Sequence, residues 1–498
     1  MSAARPGRPD EVWVGLDLGT QSARALAVSA TGDLVAGAAQ PLTSRRDGPR
    51  HEQDPGEWWG ALAAAARAAL SDVPRGSVRG AAVCGTSGTV LLVDAEGDPL
   101  TPGLMYDDAR AVEEPRVVDE AGATVWASLG YRMQPSWALP KLLWLLRHQP
   151  GARDGARLAH QVDVINRRLV GHDVPSDMSH ALKTGYDLLQ ETWPEGVLGA
   201  LGIPDGLLPP VVAAGSALGT VCREAAEATG IPAGTPVVAG MTDGCAAQLA
   251  AGALTVGSWN SVLGTTLVLK GVSPTPVRDP AGAVYSHRSA DGGWLPGGAS
   301  SVGAGALSAH YPGRDLEELN ARAQRREPAG AIAYPLVSRG ERFPFTAPEA
   351  EGFVLGEPAD EADHYAALLQ GVAFVERLCF DSLDLLGAPI DGPLTLTGGG
   401  ARSRYWCQLR ADVLGRDVRR PANGASAVGM AVLAAAAVGR RRIAENAADM
   451  VHTREVIEPR PEHAARLRGP YLHLVDELER RGWLPRAAAD HSRRRAAS

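Results

Sequence analysis

The sequence predicts an α/β protein of two large lobes, and three observations carry that prediction. The chain has 498 residues, too many for one hydrophobic core. Apolar residues make up 45% of it and fall in strand-like and helix-like runs, which excludes a disordered protein. One short pattern, an apolar strand, an aspartate and a Gly-Thr hairpin, occurs near the start and in a similar form around the middle.

The first copy lies in Val12-Trp-Val-Gly-Leu-Asp-Leu-Gly-Thr-Gln21 and the run to Val28. Asp17 stands alone between two apolar strands, and Gly19 permits a tight turn. The Thr20, Gln21 and Ser22 side chains and their backbone amides suit phosphate oxygens. Paired strands are expected over Val12 to Val35 and a helix over Asp54 to Leu70, with Asp54 as N-cap and Pro55 in the first turn. Trp58 and Trp59 read as core anchors. A second strand pair is expected over Val78 to Leu92, around Cys84-Gly-Thr-Ser-Gly-Thr89, and helices over Leu139 to Arg147 and Val162 to Leu169. The Pro- and Gly-rich segment Gly202 to Gly219 reads as a connector.

The second copy lies in Pro236-Val-Val-Ala-Gly-Met-Thr-Asp-Gly244, an alanine-rich helix, and Ser258-Trp-Asn-Ser-Val-Leu-Gly-Thr-Thr-Leu-Val-Leu269. Two such halves are what a pair of related lobes gripping one nucleotide would need. A third piece, Leu394-Thr-Leu-Thr-Gly-Gly-Gly-Ala401, runs a strand into three glycines ahead of a helix, where the backbone can approach a base or a phosphate closely. Helices follow over Asp363 to Leu386, Tyr405 to Leu414 and Ala425 to Val438. The boundary is placed near Gly234, giving a first lobe of residues 11–234 and a second of 235–485. Residues 1–10 and the Arg-rich residues 486–498 are expected to be disordered tails, with Arg493-Arg-Arg495 a solvated charge cluster.

Composition narrows the function classes. A net charge of −8 argues against nucleic acid or an anionic membrane as the main partner, and no apolar run approaches the ~20 residues of a membrane helix. Five scattered cysteines without Cys-x-x-Cys spacing read as reduced thiols, and the first ten residues do not form a signal peptide, so a cytoplasmic location is expected. Lysine occurs only at Lys141, Lys183 and Lys270 among 49 basic residues. An ammonium and a guanidinium are not interchangeable at a tight site, so these three merit testing.

Gly15-Leu-Asp-Leu-Gly-Thr20, Gln53-Asp-Pro-Gly-Glu-Trp-Trp59, Gly85-Thr-Ser-Gly88, Tyr106-Asp-Asp-Ala-Arg110, Met241-Thr-Asp-Gly244, Leu263-Gly-Thr-Thr266 and Gly398-Gly-Gly-Ala401 follow one another in this order. With that order and spacing the chain resembles the FGGY family of carbohydrate kinases, in the sugar kinase/actin/heat-shock-70 superfamily. The resemblance implies two ribonuclease-H-like lobes with ATP and a sugar in the cleft between them. It implies Asp243 as general base and Asp17 as the residue that helps hold Mg²⁺. It implies Thr20 and Gln21 on one lobe, and Gly264, Thr265 and Thr266 on the other, as clamps on the phosphates, with Gly398, Gly399 and Gly400 flanking the adenosine. Ser87 and Gly88 lie where relatives contact the sugar. Asp108 and Arg110 are a second pair for sugar hydroxyls or, equally, an intradomain salt bridge. Tyr106 stands where much of the family has Trp.

The segments His160-Gln-Val-Asp163, Ser176-Asp-Met-Ser-His-Ala-Leu-Lys-Thr-Gly-Tyr-Asp187, Tyr285-Ser-His-Arg288, Gly297-Gly-Ala-Ser300 and Gly340-Glu-Arg-Phe-Pro344 resemble the xylulose-kinase-like branch of cyanobacteria and plants. That resemblance implies D-ribulose, phosphorylated to D-ribulose 5-phosphate. D-Xylulose, or another ketose or polyol, is the rival substrate. An actin-like or heat-shock-70-like ATPase that switches partner binding is the alternative of a different class. The oligomeric state is open, a homodimer among the options.

Overall fold

The structure, a computed structural model, describes residues 11–149 and 155–497, so the expected N-terminal tail lies outside the described residues. The chain divides into two compact units. The first runs to Gly252 and adds His287–Gly293 and Asn423–His452; the second takes Ala253–Ser286, Trp294–Ala422 and the chain from Thr453 on.

In the first unit β1 (Val12–Leu18), β2 (Ser22–Ser29) and β3 (Leu34–Pro41) form an antiparallel meander. β4 (Val78–Gly85) then lies parallel to β1, and β5 (Ala217–Thr220) and β6 (Pro236–Val238) complete the order β5-β6-β4-β1-β2-β3. β6 is parallel to β4, and β5 is antiparallel to β6. β1 is central and covered on both faces, which is why it reads as an almost unbroken apolar run rather than an alternating one. The helix Pro55–Ala69 begins as expected, with Asp54 Oδ1 accepting the Gly56 N–H at 2.9 Å and Trp58 wholly buried.

The expected strand pair over Val78 to Leu92 is not a hairpin. Val90–Val93 instead enters a separate five-stranded sheet, antiparallel to Arg157–His160. The loop from Thr86 to Thr89 therefore crosses between two sheets, and Gly88 makes the turn at φ +94°.

The second unit repeats the plan. β7 (Trp259–Leu263), β8 (Leu267–Gly271) and β9 (Trp294–Ser300) form a meander. β10 (Leu394–Thr397) lies parallel to β7, β11 (Val418–Pro421) parallel to β10, and β12 (Thr453–Ile457) antiparallel to β11. The Gly-Thr hairpin thus recurs on a second sheet, but the strand and aspartate expected to belong with it, Pro236–Val238 and Asp243, lie in the first unit, where that strand pairs with β4. The helix Glu361–Leu385 runs through the core of this unit, buried over most of its length.

Two boundaries differ from expectation. The first unit extends past Gly234 to Gly252, and the helix Ser426–Gly439 belongs to it although it comes late in the chain. Backbone contact at glycine explains the return: a Cβ on Gly15 of β1 would lie 1.7 Å from Ala427 O, and one on Gly429 would lie 2.0 Å from Ala246 O. Two elements pressed this closely form one body.

The Arg-rich end is a helix, Arg486–Ala497, and not a disordered tail. Ala489, Ser492 and Ala496 are buried along one stripe, and Arg493 and Arg495 have partners on neighbouring helices. Arg495 pairs with Asp381 at 2.9 Å and Asp384 at 2.7 Å, and Arg493 with Asp476 at 2.7 Å and with Glu479. Deleting residues 486–498 should therefore lower the melting temperature by about 5 °C or more, whereas loss of a solvated tail would leave a thermal melt unchanged.

Candidate active site

Parallel strands bring the candidate residues of the first unit to one edge. β1 and β4 pair with Asp17 opposite Cys84 and Leu18 opposite Gly85, and Gly85 in turn bridges Thr242. At the carboxyl ends of adjacent strands therefore lie Asp17 with its hairpin, the Thr86–Gly88 loop, and Asp243. This is where open α/β sheets bind their ligands.

Asp17 is partly exposed at the end of β1. Burial, and next the nearby Asp243 carboxylate, push its carboxyl up to about 6; the cross-strand neighbour Arg24 and the Cys84 thiol oppose this. Cys84 Sγ donates to Asp17 Oδ1 at 3.6 Å and to Leu16 O at 3.5 Å. Burial raises that thiol well above its ordinary range, with Asp17 and Asp243 adding to the effect, so it stays a donor. The turn beyond Asp17 closes through Gly19 N–H to Ser22 O at 3.1 Å. Gln53 braces it, its amide donating to Thr20 O at 2.7 Å and Ser44 Oγ at 2.9 Å while its carbonyl accepts Trp58 Nε1–H at 2.8 Å. Thr20 is half-buried and Gln21 exposed.

Asp243 is the first residue of the helix Asp243–Ala250, with Thr242 in the N-cap position. Its Oδ1 accepts the Gly244 N–H at 2.7 Å, and its carbonyl accepts Ser426 Oγ–H at 3.2 Å. Thr242 is fixed from another direction, since its N–H donates to Ser179 Oγ at 2.8 Å. Ser179 Oγ donates to Asp177 Oδ1 at 2.6 Å, and Asp177 Oδ2 holds His180 Nδ1 at 2.5 Å. Burial favours neutral His180, but Asp177 outweighs it, with Asp163 and Asp243 contributing, and the imidazole stays charged above its usual range. The sequence motif Ser176 to Asp187 thus braces the residue expected to be the base.

Ser87 and Gly88 sit in the crossing loop. Lys183 Nζ donates to Ser87 O at 3.2 Å, and the buried Lys141 donates to Gly88 O at 2.6 Å and Met105 O at 2.7 Å. Asp108 and Arg110 form the intradomain salt bridge. Asp108 is wholly buried and accepts from His51 N–H at 2.7 Å and from the Arg110 guanidinium, which also reaches Glu52 at 2.7 Å and stacks 5.0 Å from the Trp144 ring. Tyr106 is 39% exposed.

In the second unit two motifs converge on Leu263. The turn Gly264–Thr266 leaves β7, its carbonyls tied back by Ala304 N–H to Gly264 O at 2.8 Å and Gly305 N–H to Thr265 O at 3.1 Å, and Thr265 is exposed. Gly398, at φ +82°, has room only for hydrogen: a Cβ there would lie 2.6 Å from Leu263 O. On Gly400 a Cβ would meet Leu263 Cδ2 at 2.5 Å, while Gly398 and Gly399 are exposed. The hairpin and the glycine turn therefore form one surface with amides and hydroxyls suited to phosphate and a glycine floor suited to a flat base. Sequence reasoning left Lys141, Lys183, Gln53 and the Asp177–His180 pair without roles. Only the scarcity of lysine pointed to the first two.

Residues 12–250 match the family described as "FGGY family of carbohydrate kinases, N-terminal domain", and residues 259–438 match its C-terminal domain. The chain is 30% identical over 441 residues to a xylulose kinase of Klebsiella pneumoniae, covering 86% of this chain and 90% of that protein. It is 32% identical over 488 residues to a xylulose kinase of Streptomyces rubiginosus, covering 94% and 97%. The crystal structure of xylulose kinase from Rhodospirillum rubrum superposes with a TM-score of 0.83 at 29% identity, over 94% of this chain and 99% of that one.

Proposed function

The chain belongs to the FGGY family of carbohydrate kinases and is an ATP-dependent sugar kinase; from that premise we propose that it phosphorylates the terminal hydroxyl of a ketopentose. The carrying observation is the alignment of Asp17, the Thr86–Gly88 loop and Asp243 at the ends of adjacent parallel strands. Asp243 takes the proton of the attacking hydroxyl, the sugar oxygen bonds to the γ-phosphorus, and the bond to the β-phosphate oxygen breaks to release ADP. The phosphate contacts fall to Thr20, Gln21, Gly264, Thr265 and Thr266, and the adenosine to Gly398, Gly399 and Gly400. Ser87 and Gly88 take the sugar.

A magnesium ion fits the first unit because burial, and next the Asp243 charge, raise the Asp17 carboxyl, a cost that a divalent cation offsets. Asp17 would hold it, largely through water, and when bound it supplies positive charge against the phosphate oxygens.

D-Ribulose is the first substrate, on the His160 to Asp163 and Ser176 to Asp187 segments; D-xylulose is the second, on the relatives named xylulose kinases. These sugars differ in configuration at one carbon, so a single hydrogen bond separates them. ADP release with Mg-ATP should be measured against D-ribulose, D-xylulose, their L-forms, ribitol, xylitol, glycerol and sedoheptulose, with a no-sugar control. Preference for D-ribulose supports the first reading and preference for D-xylulose the second. A preferred polyol removes the ketopentose, and release indifferent to sugar removes the proposal.

A further inference from the structure

The chain carries 49 basic residues, and only Lys141, Lys183 and Lys270 are lysines. Two of those three end on consecutive carbonyls of one loop, Lys183 on Ser87 O and Lys141 on Gly88 O. They arrive from different elements, Lys141 from the helix Ala138–His148 and Lys183 from the turn Leu182–Thr184. Lys141 also donates to Met105 O, immediately before Tyr106 to Arg110, and so ties together two segments that the sequence associates with the sugar.

We propose that Lys141 and Lys183 are positioning residues that clamp the Thr86–Gly88 loop in its sugar-binding shape. The inference rests on the sugar-kinase reading of Ser87 and Gly88. Ser87 Oγ is buried without a hydrogen-bond partner. An unpaired buried hydroxyl is costly, and a substrate hydroxyl arriving at the loop would satisfy it.

An ammonium on each carbonyl also polarises the peptide unit it touches, which makes the N–H of Gly88 and the N–H of Thr89 stronger donors toward an incoming oxygen. Gly88 lies so close to the clamp that a Cβ would sit 3.1 Å from Lys183 Cδ. A compact ammonium and a planar guanidinium fork are not interchangeable at such a loop, and lysine stands at both positions in an arginine-rich chain.

The pH dependence follows from the surroundings of Lys141. Burial, opposed by the Asp108 and Asp107 carboxylates and aided by the Lys183 and Arg110 cations, brings its ammonium down to about 7. The clamp is complete below that pH and loosens as pH rises through it. Sugar KM should therefore rise between about pH 6.5 and pH 8.5 while the KM for ATP does not follow.

The test uses the full chain with Lys141→Met, Lys141→Arg and Lys183→Met. In the sugar-free protein, amides of residues 84–90 should exchange with deuterium faster in both methionine variants. Lys141→Met should raise the sugar KM about tenfold or more with the ATP KM held within about twofold, and should lose the alkaline rise seen in the wild type. Lys141→Arg should not restore the sugar KM. Lys183→Met, at a half-buried position, should give a smaller change of the same kind even where Lys141→Met folds poorly. Unchanged exchange in Lys183→Met, a parallel rise of both KM values, or a wild-type sugar KM flat in pH would each overturn the inference. A wild type without sugar-dependent turnover would instead overturn the kinase reading of the site, and the exchange measurement would still decide whether the clamp exists.

Discussion

Asp243→Asn should lower sugar-dependent ADP formation by about 10²-fold or more while leaving ATP affinity within about twofold, as expected for loss of a general base rather than of a binding contact. The substitution is conservative in shape. The carboxamide oxygen can still accept the Gly244 N–H that Oδ1 accepts at 2.7 Å, and Thr242 keeps its bond to Ser179 Oγ, so the helix start at Asp243 should hold. What the amide cannot do is take a proton from a sugar hydroxyl at neutral pH.

Two neighbouring groups could in principle replace it, and each has a reason not to. His180 is bonded through Nδ1 to Asp177, whose carboxylate outweighs burial and holds the imidazole above its usual range, so it is a weaker acceptor for the sugar proton. Asp17 stands on β1 with its oxygen engaged by Cys84, where a metal rather than a hydroxyl is expected. Turnover in Asp243→Asn comparable to the wild type, measured by ADP release under saturating sugar, would remove Asp243 from the chemistry and leave it as the first residue of a helix.

The residues proposed for the chemistry were legible because the signals that mark them are local. Asp17 announces itself through an apolar strand on either side and a Gly-Thr turn directly after it; Asp54 and Pro55 mark a helix start within two residues. The motifs of the second half read equally well for the same reason. What stayed hidden depends on contacts far apart in sequence. Nothing near residue 426 says that this helix returns to press on Gly15. The stripe Ala489, Ser492 and Ala496 is too small to look like a core face, and the arginines beside it look solvated until Asp381 and Asp384 are placed opposite Arg495. The Val78 and Val90 runs each read correctly as strands, but the glycine between them hid the change of sheet. Asp108 offered two readings of equal weight, and only the approach of the His51 N–H and Arg110 shows it engaged within its own unit.

Asp17→Asn should abolish Mg²⁺-dependent transfer and, in the metal-free protein, raise the melting temperature. The two effects have one source. Asp17 titrates near 6 in the fold against an ordinary 3.8, because burial and the Asp243 charge both disfavour its ionised form. A carboxyl whose folded value is raised makes the protein less stable as pH climbs from about 4 through 6, and the whole penalty remains above that range. Replacing it with a neutral amide removes the penalty at pH 8 but gains nothing near pH 4, where the wild-type group is already protonated. The difference in melting temperature between variant and wild type should therefore grow from near zero at about pH 4 to a few °C at about pH 8. The same proton competes with magnesium, so the Mg²⁺ concentration giving half-maximal wild-type activity should rise as pH falls below about 6. A variant that melts at or below the wild-type temperature at pH 8 would show that Asp17 is not strained in the fold. One that keeps its metal dependence would move the magnesium site elsewhere. The expected combination, a more stable protein that no longer transfers phosphate, is what a site holding two repelling carboxylates for a cation predicts.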